Sequence, residues 1–71
     1  MKDQKRIQPD MTLLEVVDRW RETVPVFQAR DGQAGECLLC NALFDTVART
    51  AERYGLDLEV LLDDLEAAAQ E

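Results

Sequence analysis

From Leu13 to Leu65 the apolar positions of the chain return every three or four residues, and nowhere do they alternate over a useful length. The first such stripe is Leu13, Val16, Val17 and Trp20. It is preceded by Thr12, a predicted N-cap, with Glu15 placed to close a capping box and Met11 to staple onto Val16. A second, short helix is expected from Thr23 as N-cap through Val24, Val26 and Phe27, with Pro25 tolerated in its first turn. Asp31 to Gly35 reads as a loop. A third helix is predicted to begin between Leu38 and Ala42 and to run to Tyr54, burying Leu43, Phe44, Val47, Ala48, Ala51 and Tyr54. Gly55 suits a left-handed terminator with Leu56 folding back behind it, and Asp57 caps a fourth helix carrying Leu58, Leu61, Leu62 and Leu65. The expected fold is all-α: a small bundle of four helices, two of them short, with Leu13, Val17, Phe27, Phe44, Val47, Leu58, Leu61 and Leu65 as one core.

The length of 71 residues limits this to one domain, with a tail over 1–8, the helical domain over 9–66 and a frayed end over 67–71. No apolar run approaches the ~18 residues that a membrane span requires, and Met1 to Arg6 carries no hydrophobic signal core, so a cytoplasmic location is expected and a membrane is not. The net charge of −7 is concentrated at the C-terminal end, where Asp57 to Glu71 holds six acids and no Lys or Arg. Such a surface repels a phosphate backbone, which argues against nucleic acid as a partner.

Candidate chemistry is confined to Cys37-Leu38-Leu39-Cys40. The chain has no histidine and no serine, which removes Ser/His and Cys/His catalysis and histidine metal ligation. A lone CxxC is not a folding staple, since closing so short a loop is worth only about 2 kcal/mol. Its spacing allows a redox dithiol, half of a four-thiolate metal site shared with another chain, or two structural cysteines. Extending the third helix backwards makes Cys40 the buried member and leaves Cys37 exposed beside Gly35 and Glu36, so that Cys37 would attack and Cys40 resolve. At Cys37 a helix start would favour the thiolate, while Glu36 and Asp31 would oppose it.

The run Ile7-Gln8-Pro9-Asp10-Met11-Thr12-Leu13-Leu14-Glu15-Val16-Val17, followed by Glu22-Thr23, Val26-Phe27 and Cys37-Leu38-Leu39-Cys40, resembles a small bacterial family, the hybrid-cluster-protein-associated redox disulfide domain. Asp45-Thr46-Val47, Ala51, Tyr54-Gly55-Leu56-Asp57 and Leu61-Leu62 are similar to that family's ending, so the resemblance spans Ile7 to Leu65. A more distant likeness is to the N-terminal domain of iron–sulfur-cluster repair proteins, where adjacent cysteines replace the CxxC. The resemblance implies a redox role for Cys37 and Cys40 and a larger partner, an iron–sulfur or hybrid-cluster protein. The chain departs from the family in having Leu39 where a glycine usually stands and Asn41 where a proline often follows. It also has a longer stretch from Phe27 to Cys37.

Other candidates are weaker. Trp20 reads as core before it reads as a partner anchor. Asp63 and Asp64 with Glu59 or Glu66 lack the glycine-bearing loop of a calcium site and read as a solvated face. The sequence therefore points to a redox-disulfide module with no bound cofactor, with a protein-interaction domain whose thiols are inert as the competing class.

Overall fold

The first turns of two helices complete one another. In the computed structural model, which describes residues 6–70, Thr12 and Thr46 form an isolated antiparallel bridge. Helix α1 (Leu13–Arg19) starts on one side of this bridge and helix α5 (Val47–Tyr54) on the other. The amides of Leu13 and Leu14 donate to the carbonyls of Asp45 and Leu43 at 3.0 and 2.8 Å. The amides of Val47 and Ala48 donate in return to the carbonyls of Met11 and Pro9, both at 2.9 Å. Each third amide is taken by the threonine itself: Glu15 donates to Thr12 Oγ1 at 3.1 Å and Arg49 to Thr46 Oγ1 at 3.0 Å. Three of the four amides that a helix start ordinarily leaves without partners are thus satisfied at each start. Thr12 caps as the sequence predicts, but the Glu15 carboxylate does not close the box; it lies 3.4 Å from the Arg19 guanidinium.

Between α1 and α5 the chain makes a 3-10 turn (Arg21–Thr23), α2 (Val24–Ala29), the single-turn helices α3 (Asp31–Ala34) and α4 (Leu38–Asn41), and after α5 it ends in α6 (Leu58–Ala69). No strand occurs among the described residues, so the all-α expectation holds, but six helices replace the expected four. Two local events account for the difference. The predicted loop at Asp31 to Gly35 winds into α3, closed by the Gly35 amide on the Asp31 carbonyl and ended by Gly35 at φ +84°. The predicted third helix divides, because the segment Ala42 to Thr46 turns (Asp45 amide to Ala42 carbonyl, 3.0 Å) and pairs with the start of α1. Thr23, expected to cap α2, has helical backbone angles and donates its hydroxyl to the Trp20 carbonyl at 2.6 Å. The remaining signals act as expected. Pro25 lies in the first turn of α2, Gly55 terminates α5 at φ +69°, and Asp57 Oδ1 accepts from the amides of Glu59 and Val60.

Phe27 is the largest fully buried side chain, packed with Leu13, Val16, Leu38, Val47, Leu61 and Leu65. Val17, Leu58 and Trp20 are half-buried against this core. Phe44, expected within it, is 76% exposed. The turn that splits the predicted third helix places Ala42 and Val47 inward and displays Phe44 between them. Of the predicted tail, Met1 to Lys5 lie outside the described residues. Ile7 is a core residue, 1% exposed, held by Glu66 of α6, whose Oε1 accepts from the amides of Arg6 and Ile7 at 3.0 and 3.2 Å. The Arg6 guanidinium lies 3.6 Å from the second oxygen of Glu66. At the C-terminal end α6 continues to Ala69, with Gln70 as its cap.

Phe27→Ala should therefore destabilise the chain by about 3–5 kcal/mol, whereas Phe44→Ala should stay within about 0.5 kcal/mol. Urea unfolding followed by circular dichroism measures both. Thr12→Ala and Thr46→Ala should each lose about 1 kcal/mol in the same assay.

Candidate functional site

Leu38 fixes the cysteine pair in place. It is fully buried, packed from the single turn α4 against the core, with Cys37 and Leu39 half-buried on either side of it. Cys37 is the N-cap of α4 and Cys40 lies within its only turn. Their Cα atoms are 5.2 Å apart and the two sulfurs are joined as a disulfide. The ordinary Cα separation for such a bridge is about 4.4–6.8 Å, so one helical turn is a natural frame for it.

The exposures of the two are the reverse of the expectation: Cys37 is half-buried and Cys40 is exposed. The physical reason is the break at Ala42 to Thr46. The helical phase of α5 does not carry back through it, and within α4 the inward direction belongs to Leu38 and Ala42, leaving Cys40 on the outer side. The role of attacking thiol, assigned to Cys37 on grounds of exposure, loses that ground.

Three acceptors serve the amides of this one turn, and the Cys40 amide is shared between Cys37 Sγ and the Cys37 carbonyl, each at 3.2 Å. Asp31 Oδ1 accepts from the Leu38 amide at 3.0 Å, and Cys37 Sγ accepts from the Cys40 amide at 3.2 Å. The Cys37 carbonyl accepts from the Asn41 amide at 3.0 Å and from its side-chain amide at 3.2 Å. An N–H aimed at sulfur stabilises negative charge developing there, and the Asp31 carboxylate one residue along works against it. Asp31 is the acid that the sequence sets against the thiolate, and its contact with the first amide of α4 is the geometry behind that.

A second tie was not legible in the sequence. The Tyr54 hydroxyl, at the end of α5, donates to Glu36 Oε2, and Glu36 Oε1 lies 3.5 Å from the Asn41 side-chain amide. Tyr54 was expected as a core residue; it is half-buried, and its polar tip anchors the segment just before Cys37. Glu36 holds the phenol above its ordinary value of 10.0, because losing the proton would abolish this bond and set two negative charges together.

The remaining candidates fall away from the pair. Asp64 meets Arg30 at 2.5 Å, Glu66 holds the N-terminal segment, and among the described residues no group of three or more His, Cys, Asp or Glu could hold a metal ion. A shallow open depression is lined by Asp45, Arg49, Glu52 and Arg53, with Arg53 3.3 Å from Asp45. Neither cysteine lines it. No helix among the described residues is long and apolar enough to cross a membrane. Compared with family models, curated proteins and solved structures, the chain finds no match in any of the three.

Tyr54 is the only tyrosine, so its titration can be followed by absorbance near 295 nm. The midpoint should lie above 10.0 and fall in Glu36→Gln. Since the folded value exceeds the unfolded one, the contact adds stability below the unfolded value, and that contribution disappears as pH rises through the folded one.

Proposed function

We propose that the chain is a redox-disulfide module in which Cys37 and Cys40 cycle between dithiol and disulfide while it works with a larger protein. The observation that carries this reading is the bridged pair on a single turn, with Cys40 exposed and Cys37 Sγ receiving the Cys40 amide. A purely structural pair has no need of exposure, and a bridge across three residues adds little to the stability of the fold. Anchoring the turn through Leu38 keeps both sulfurs near each other when the bond is open, which favours closing it again. The resemblance to the hybrid-cluster-associated redox disulfide domain supports an iron–sulfur or hybrid-cluster protein as the partner, and a cytoplasmic setting with it. In such a reducing setting the pair would rest largely as the dithiol and be oxidised in its working cycle.

The experiment is a redox titration of the purified chain in dithiothreitol and glutathione buffers, with thiols trapped by alkylation and counted by mass. The expected result is one reversible two-electron transition between about −270 and −120 mV, the range of catalytic CxxC pairs. A pair that will not reoxidise, or one that resists reduction below about −300 mV, would assign the cysteines to structure.

A further inference from the structure

Four residues beyond Cys40 stands Phe44, the most exposed large apolar side chain of the described residues, at 76%. It is not on a loose loop. The Asp45 amide closes the turn on Ala42, and the carbonyls of Leu43 and Asp45, on either side of Phe44, are held by the first two amides of α1. The Leu14 amide reaches the Leu43 carbonyl at 2.8 Å, which brings Leu14, itself 41% exposed, beside the Phe44 turn. From Asp31 to Ala48 the chain has three acids, Asp31, Glu36 and Asp45, and no Lys or Arg, with Arg30 and Arg49 at its two borders. Asp45 is met by Arg53, which also lies 5.3 Å from the Tyr54 ring, while Glu36 accepts from the neutral donors Tyr54 and Asn41. Asp18, one turn after Leu14 on α1, is exposed and makes no ion pair with a described residue. A rigidly displayed aromatic ring four residues from an exposed cysteine, on a chain whose net charge is −7, fits a basic partner better than a second copy of the same chain.

We infer that a protein segment carrying a cysteine among basic and apolar side chains docks over Phe44 and Leu14 and is held as a mixed disulfide on Cys40, with Cys37 the departing and resolving thiol. This rests on the redox reading and adds to it the partner's chemistry and the sulfur that is attacked. The partner's thiolate attacks Cys40 Sγ, the exposed sulfur; the new bond joins partner sulfur to Cys40, and the Cys37–Cys40 bond breaks. Its electron pair leaves on Cys37 Sγ, where the Cys40 amide already points. A second partner thiolate then attacks the partner sulfur of the mixed disulfide and releases Cys40. Two electrons have passed from the partner's dithiol to the pair, the partner is left with its own disulfide, and the two thiol protons pass through solvent to Cys37 and Cys40. In the opposite direction the Cys37 thiolate attacks Cys40 in the mixed disulfide and frees the partner. The order inverts the one expected from the sequence, in which Cys37 attacks.

The oxidised chain is mixed with one of two synthetic peptides, acetyl-Lys-Leu-Cys-Lys-amide or acetyl-Glu-Leu-Cys-Glu-amide, quenched in acid, and the adduct located by fragmentation mass spectrometry. The expected result is an adduct on Cys40 in about tenfold excess over Cys37, formed about tenfold faster by the basic peptide at low salt, with the preference lost in ~1 M salt. In Phe44→Ser the ratio of the basic-peptide rate to the dithiothreitol rate should fall by about fivefold. An adduct mainly on Cys37, equal rates for the two peptides, an unchanged ratio in Phe44→Ser, or a dimer on sizing that Phe44→Ser dissolves would each overturn the inference. Dithiothreitol reduction and glutathione reoxidation of the same samples separate the two levels. If that cycle runs while the adduct sits on Cys37, only the docking inference falls; if it does not run, the redox reading falls first.

Discussion

Helix α1 cannot be finished without α5, nor α5 without α1. Six amides at two helix starts find their acceptors around the Thr12–Thr46 bridge, four of them across it and two on the threonine side chains. A buried amide left without a partner loses on the order of 1–3 kcal/mol, so the two starts hold each other in register more firmly than apolar packing alone would. The constraint reaches further than the two helices. It requires the chain to be extended at Thr46, which breaks what would otherwise be one long helix, and the break isolates α4 as a single turn. The cysteine pair owes its setting to that isolation.

Much of this was legible where the signal is local. Thr12, Asp57 and Gly55 act at the places their chemistry suggests, because a cap or a left-handed glycine depends on a few neighbouring residues. The buried stripes of α1 and α6 follow the same way, Leu13 and Val16 in one, Leu61 and Leu65 in the other. What escaped depends on partners far along the chain. Leu43 to Val47 has good helical periodicity, and nothing within it announces that Met11 and Pro9 will claim its amides. Local periodicity therefore assigns Phe44 to the core and reverses the exposures of Cys37 and Cys40. Both follow from one misplaced helix boundary.

Around the pair the acids and the amides are arranged in opposition. Asp31 occupies the first amide of α4 and Cys37 Sγ the third, so the turn is capped by a carboxylate and a sulfur together. Glu36 is engaged through Tyr54 and Asn41, which ties the approach to Cys37 to the end of α5. The segment bearing the sulfurs is thus held at Asp31, at Leu38 and at Glu36. These contacts fix the backbone around the sulfurs independently of the bond between them.

The Glu66 contact bears on how the chain is made. The amide of Ile7 finds its acceptor on a carboxylate that stands 59 positions later. At about 5–20 residues per second, a ribosome takes several seconds to pass from Ile7 to Glu66. Until then the core lacks an isoleucine and α6, and Leu61 and Leu65 have yet to cover Phe27. Closure of this core therefore waits until α6 has been made. Anything that holds the nascent N-terminal segment before that moment competes with Glu66 for it.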